Sequence, residues 1–391
     1  MPVAAGKSRR LSRAPRPTGG LWLGLFFLVV FAFVAFAQRP MTGIGWRGLL
    51  PAPVAATPTW SRPVGPGAEL ARDGDGLAVL ASSANGGTLT YVRPDGTVKT
   101  QVAAGGASFI AEARGRAVVL RSDPPAVGRV QGTSVAWSLL DGEAAPPAVL
   151  AVVSSSRADA LLVLAGPAGG TGPAGRLQSL TPDGQRLWGT DATEGVVTSI
   201  GTGRKGGAAV ASFVPGPQPR AWLTAFAADG TVRGRFELGS APVFRTYLSP
   251  DEDALLALDP AGAWLIEPKS GSTRPLTIEA PVAGGFGTGD SVHIATAKGF
   301  VLSFTRGGQA TWRRQLAGAA VDLLELPAGG LLVCGEGRLY ALDTTGRGRW
   351  TLAFSEQSRG VLLLPGGDQV VILTGTKILG YSLPGSVKAG P

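Results

Sequence analysis

The sequence predicts an all-β fold: an eight-bladed β-propeller of four-stranded antiparallel blades, preceded by one transmembrane helix. Three observations predict it. Short apolar strands separated by Gly, Asp and Pro recur along the chain with a period near forty residues, the length of one four-stranded blade. Glycine accounts for 59 of 391 residues and only 16% are charged, a composition of many tight turns and short strands. Finally, Thr59-Trp60 near the start of the body repeats Thr311-Trp312 from its interior. The early end of the body therefore supplies the outer strand that the last blade lacks, closing the ring with no unpaired blade edge.

Taken in order, residues 1–20 hold Lys7, Arg9, Arg10, Arg13 and Arg16 and no acid. They read as a short cytoplasmic tail, because cations stay on the cytoplasmic side of a span. Residues 21–37, LWLGLFFLVVFAFVAFA, are seventeen residues without a charge, at the short end of a membrane helix. Two readings stand. The aromatic-rich core and the interfacial Trp22 and Trp46 favour an uncleaved signal anchor. The small-x-small site Ala35-Phe36-Ala37 favours a signal peptide cut after Ala37, which secretes the remainder. Both send the rest of the chain across the membrane. No cysteine directly follows the apolar run, which excludes a lipid anchor there. Residues 38–57 carry Pro40, Pro51 and Pro53 without periodicity and read as a linker. The propeller is expected over 58–386, with a short tail at 387–391.

Within the body, each copy has a strand that runs into a turn glycine. Those glycines are Gly96, Gly142, Gly184, Gly230, Gly271, Gly308, Gly346 and Gly385, spaced 37 to 46 residues apart. Aliphatic strands precede them, such as residues 77–82, 254–259 and 370–375, and an earlier, innermost strand is legible at 108–113, 149–155, 196–201 and 321–326. The innermost strands are expected to be continuous buried runs between neighbouring blades. Outer strands follow at 187–191, 310–316 and 349–354, each with a Trp four residues after its glycine: Trp188, Trp312 and Trp350. With Trp60 these occupy one repeat position, which points to packing between blades rather than to ligand stacking. Trp137, Trp222 and Trp264 are placed in third strands and are the less regular set. Lys99, Arg313 and Arg314 put charge on the outer edges.

The chemistry-bearing residues are few. Net charge is +9, but Lys7 through Arg47 supply seven of those charges within the first fifty residues. A nearly neutral body lacks the footprint of a nucleic-acid binder. The one cysteine, Cys334, permits no internal disulfide and reads as a small buried hydrophobe. The one histidine, His293, falls in a strand at the level of Leu331 and reads as structural; without neighbouring Asp, Ser or Cys patterning it builds neither a triad nor a zinc site. The acidic runs Asp73-Gly74-Asp75 and Asp251-Glu252-Asp253 fall in turns between first and second strands. They offer too few oxygens for a calcium loop and read as solvated turns. No catalytic residue, metal site or cofactor is expected.

The stretch Gly337–Trp350, GRLYALDTTGRGRW, resembles the repeat of the PQQ-like (quinoprotein-like) propellers through Gly337, Leu339, Tyr340, Ala341, Leu342, Asp343, Gly346 and Trp350. Gly175–Trp188 and Gly299–Trp312 are similar but looser. The resemblance implies an eight-bladed ring. The quinoprotein dehydrogenases of that family use a vicinal disulfide, a Glu/Asn/Asp metal site and a catalytic Asp. With Cys334 alone the disulfide cannot form, so the resemblance implies the scaffold without the quinone chemistry, as in the non-catalytic BamB-like members. The expected function is a non-catalytic extracytoplasmic binding or scaffolding propeller, tethered to the membrane through residues 21–37. It presents loop surfaces to a protein or cell-envelope partner and binds no nucleic acid. The alternatives are an enzyme or a cofactor or sugar binder using the central funnel, and a tethered sensor of a cell-wall polymer.

Overall fold

The computed structural model describes residues 50–383, apart from positions 56, 82–86, 114, 123–125, 132–133, 140–147, 155–159, 167–175, 192–193 and 327–328. The expected tail and span, residues 1–37, lie outside the described residues, as do positions 38–49 of the linker and the C-terminal tail. Among the described residues there are strands and turns and no helix, so none long and apolar enough to cross a membrane.

The strands form eight sheets, seven antiparallel ones of four strands and one of five whose added strand is parallel. Blade one runs Glu69–Asp73, Gly76–Ala81, Thr88–Val92 and Val98–Ala103, in sequence order from the centre outward. Blades two to seven repeat that order, with innermost strands Ala107–Ala113, Ala148–Ser154, Val196–Thr202, Arg245–Leu248, Pro281–Phe286 and Ala320–Glu325. Blade eight takes Ser358–Leu363, Gln369–Thr374 and Lys377–Ser382 from the end of the body, and its outer strand, Trp60–Pro63, from the beginning. Trp60 pairs with Gly380 and Pro63 with Lys377, so the expected closure is present.

The core is a set of apolar layers between blades rather than one central mass. Leu77, Val79 and Val92 of blade one pack on Leu364, Val371 and Ile378 of blade eight across the closure. The most continuous burial belongs to the second strands. Leu255–Asp259 and Leu331–Gly335 are buried at every position, because they are covered on both faces and flanked by strands on both edges. The innermost strands are expected to be the continuous buried runs, but those whose burial is described are interrupted by half-buried positions. Val196–Thr202 is mostly half-buried, since its inner edge borders the central channel.

One turn design recurs between third and outer strands. In blades one, three, four, six and seven the glycine N–H donates three residues back, and the residue opening the turn accepts and donates around it: Gly96 to Arg93, Gly184 to Thr181, Gly230 to Ala227, Gly308 to Thr305 and Gly346 to Asp343. The five glycines have φ between +77° and +86°. Each turn is followed by a slip in pairing, for example between Ala341 and Leu342. This is a type I turn with a glycine bulge, and it needs the left-handed conformation.

Blade two departs from the expected register. Its third strand is Ala126–Gln131, and Ser134–Leu139, expected as a third strand ending at Gly142, is the outer one. Trp137 is therefore an outer-strand residue. It sits opposite Gly128, lies within 3.5 Å of the side-chain position at Gly105 and is covered by the Arg121 guanidinium. It thus faces back toward blade one. The Asp141-Gly142 pair, expected as the turn of this blade, lies outside the described residues.

Residues 50–55, within the expected linker, lie against blade seven. Val54–Ala55 adds a fifth, parallel strand beside Leu352 and Ala353, while Leu50 and Pro51 cover Gly348.

A β-carbon at Gly346 meets the Trp312 ring at 2.6 Å in a left-handed backbone, whereas one at Gly74, also left-handed, meets nothing. Gly74→Ala should cost only the backbone penalty, about 1 kcal/mol, and Gly346→Ala that plus overpacking, about 2–4 kcal/mol together. Urea unfolding of the two variants checks the difference.

Candidate functional site

Three groups of polar side chains stand out: the blade junctions, the inner-strand charges, and a cavity between blades six and seven.

The junction tryptophans come first, because they decide what is left for binding. Three outer-strand indoles lie on the turn glycine of the following blade and donate their Nε1–H to the carbonyl two residues before that glycine. Trp60 reaches Pro94 at 2.7 Å, Trp188 reaches Ala228 at 2.8 Å and Trp312 reaches Thr344 at 3.1 Å. The expected packing role of this position holds at these three junctions. Trp350 is buried among Leu363, Tyr381 and Leu383, and the turn beyond it runs outside the described residues. In third strands, Trp222 lies under Arg235 and Trp264 donates to Asp259 at 2.8 Å.

Of the acidic runs expected as solvated turns, Asp75 is exposed, but Asp73, Asp251, Glu252 and Asp253 are junction elements. Glu252 is 4% exposed, has φ +62°, and accepts from the backbone N–H of Lys205 at 2.6 Å and Gly207 at 3.2 Å in blade four. Arg233 donates to the Glu252 carbonyl at 2.6 Å. Asp251 is bound by Arg306 of blade six at 2.8 and 3.1 Å, and that guanidinium holds its carboxyl well below the usual carboxylate range. Asp73 accepts from the Ala117 N–H of blade two at 3.1 Å. These carboxylates are engaged by backbone and guanidinium donors, and no cluster of metal-ligating residues exists among the described residues.

The innermost strands carry charge around the channel, which sequence patterning did not disclose. Arg72 pairs with Glu112 at 3.9 Å, and Glu69 accepts from the Ile110 N–H at 3.4 Å, both between blades one and two. Burial raises the carboxyls of Glu69 and Glu112. Arg245 of blade five reaches Asp322 of blade seven at 3.6 Å. Blade six lies between them and contributes Gly284 and Gly285 to its innermost strand, so no side chain of those two residues blocks the path. Burial also raises the Asp322 carboxyl.

The cavity encloses about 300 Å³. Its mouth is formed by exposed Thr288, Thr311, Thr344 and Thr345, all on the face that carries the first-to-second and third-to-outer turns. Its floor is His293, Ser303 and Trp312, all buried. Glu325 stands in the wall, its carboxyl raised by burial. Ser291 Oγ donates to the Thr288 carbonyl at 3.0 Å and lies 3.0 Å from His293 Nε2. Since the hydroxyl has one proton, Nε2 is the donor to it and Nδ1 is a bare acceptor. Nδ1 is buried and without a hydrogen-bond partner. Desolvation lowers the His293 pKa to about 4, so the ring is neutral near pH 7. By strand pairing His293 corresponds to Leu332 rather than Leu331: His293–Ser303–Trp312 aligns with Leu332–Ala341–Trp350. That one-residue difference turns it toward blade seven. Cys334 is fully buried and its thiol is pushed up to about 12 by desolvation, which fits the packing role expected of it.

No family model and no curated protein sequence matches the chain. Solved structures do match in fold. BamB from Moraxella catarrhalis superposes with a TM-score of 0.56 at 13% identity, covering 84% of this chain and 98% of that one. AztD from Citrobacter koseri, in its apo form, gives 0.53 at 10% identity over 74% and 87%. Chaetomium thermophilum Sqt1, bound to the N-terminus of the ribosomal protein L10, gives 0.60 at 11% identity over 79% and 94%. At these identities the likeness is one of fold alone.

The buried histidine generates a pH signature. Its pKa is about 4 when folded and 6.5 when free, so the unfolded chain binds the extra proton between those values. The contribution is full above pH 6.5 and is lost as pH falls to 4, by about 3 kcal/mol. His293→Leu, copying Leu332 of the next blade, should flatten that part of the stability–pH curve. Denaturant midpoints from pH 7 to pH 4, compared between the two proteins, measure it.

Proposed function

We propose that this chain is a non-catalytic binding or scaffolding propeller, held at the membrane by residues 21–37, that presents its loop faces and rim outside the cytoplasm to a protein partner. The observation that carries the reading is the division of labour among its side chains. Junction and channel charges are spent on neighbouring blades, whereas Leu187 and Val232 stand 55% exposed at the starts of the outer strands of adjacent blades three and four. Exposed apolar groups on rigid strands are what a protein partner buries. The fold likeness to Sqt1, which holds a segment of another protein, supports the same use of a ring.

The finer placement in the PQQ-like class rests on Gly337–Trp350 and on the indole-to-glycine contact repeated at three junctions. Use of the central channel for an anionic cofactor is the weaker reading, because Arg72 and Arg245 there are engaged by Glu112 and Asp322.

Affinity capture of the full chain from its native membrane should recover one stoichiometric protein, and the double variant Leu187→Asp/Val232→Asp should lose it while keeping its circular dichroism spectrum. Equal recovery by both proteins counts against the rim. The tether is checked separately. The chain should resist alkaline carbonate extraction, and protease added to right-side-out membranes should reach the propeller. Extraction by carbonate, or protection from the protease, removes that part of the reading.

A further inference from the structure

We propose that the cavity between blades six and seven is a binding site for a small, uncharged polyhydroxylated ligand, a monosaccharide or a cyclic polyol of similar size. It is separate from the rim and channel and does not depend on the partner reading.

The first argument is a break in the repeat. At the other three junction tryptophans the paired positions on the third and second strands are Ala341 and Leu332, Gly380 and Val371, and Ser179 and Leu162. Each second-strand residue there is aliphatic. In blade six the same positions hold Ser303 and His293. Burying polar groups in a packing layer costs free energy unless they are partnered, and an aliphatic residue fills this slot at every comparable junction. The polar choice coincides with the cavity.

The second argument is the chemistry of the wall. Six hydroxyl side chains line it, those of Thr288, Ser291, Ser303, Thr311, Thr344 and Thr345. They are joined by one carboxylate, Glu325, and by neutral His293, with no Lys or Arg in the lining. A wall without a cation and with a carboxylate disfavours phosphates and carboxylic acids. It suits a ligand whose hydroxyls both donate and accept. His293 Nδ1 is a buried acceptor without a partner, which calls for a donor such as a ligand hydroxyl, and Glu325, which already accepts from the Thr288 backbone, offers further acceptor capacity in the wall. The Trp312 indole adds an apolar wall whose N–H is already committed to Thr344.

The third argument is size and access. A volume of about 300 Å³ lies at the lower limit of ligand pockets. It admits a single ring and excludes a nucleotide or an enclosed polymer segment. Threonines at the mouth leave an entrance on the turn-bearing face, where Gly289 is exposed and has no neighbour over its side-chain position.

Saturation-transfer NMR on the purified full-length protein tests the assignment with D-glucose, N-acetylglucosamine, myo-inositol and inorganic phosphate as probes, followed by calorimetric titration of any that respond. At least one of the three ring polyols should bind saturably, and phosphate should not. His293→Leu should weaken that binding roughly tenfold, the worth of one buried hydrogen bond, and, independently, Thr311→Val should weaken it by a smaller factor, roughly threefold. Thr311 lies at the exposed mouth, so its variant stays informative if the histidine variant is unstable. Absence of saturable binding by all three polyols overturns the assignment, as does preferential binding of phosphate or unchanged affinity in both variants.

Discussion

The ring depends on a glycine held in the left-handed conformation beneath an indole. Closing eight twisted sheets into a circle leaves the turn between third and outer strands facing the blade before it. At that turn the bulge exposes a carbonyl, and the glycine removes the β-carbon that would keep the neighbour away. An indole meets both needs, burying a large apolar area and carrying one donor for the one free acceptor. The contact recurs at Trp60, Trp188 and Trp312 with the same acceptor position each time.

Where the indole is absent, charge takes over the junction. Thr100 stands at the indole position in blade one, and the following junction is fastened by Arg72 with Glu112 and by Asp73 on the Ala117 N–H. Gly234 stands there in blade four, with the Phe236 ring folded into the space, and Glu252 reaches back to the Lys205 and Gly207 amides. Between blades five and six, Arg306 grips Asp251. The exposed pairs are worth little individually. Buried Glu252 is different, since removing it leaves two amides without acceptors. The blades are therefore repeats in backbone but not in the chemistry of their seams.

This explains what could and could not be read from the chain. The period, the turn glycines and the closing strand were legible because each is local: a few residues in a fixed pattern. Blade two was misplaced by one strand because its true third strand, AVGRVQ, alternates poorly, while Ser134–Leu139 followed by Asp141-Gly142 imitates the local signature. Asp251, Glu252 and Asp253 looked solvated because their partners, Lys205, Arg233 and Arg306, are distant in sequence. The path from Arg245 to Asp322 was hidden for the same reason, and its enabling feature is two residues with no side chain, Gly284 and Gly285. His293 was noticed, but a one-residue offset in pairing concealed that it faces the cavity. Ser303 and Thr311, which make that cavity polar, carry no signal until strand pairing sets them beside it.

The ten residues from Val54 to Pro63 touch three consecutive blades. They lie on the edge of blade seven, complete blade eight and rest an indole on blade one. Thr59 bonds Gly380 across 321 residues of chain. Such a contact forms only after the loop-closure entropy of the whole body has been paid, so it belongs late in folding and slows it. During synthesis this segment emerges long before anything exists for it to join. It must then wait, unpaired, while seven blades assemble. The ring therefore has a seam with a kinetic identity of its own. Completion is one step that engages three blades together, and so is the reverse step, detachment of a single short strap.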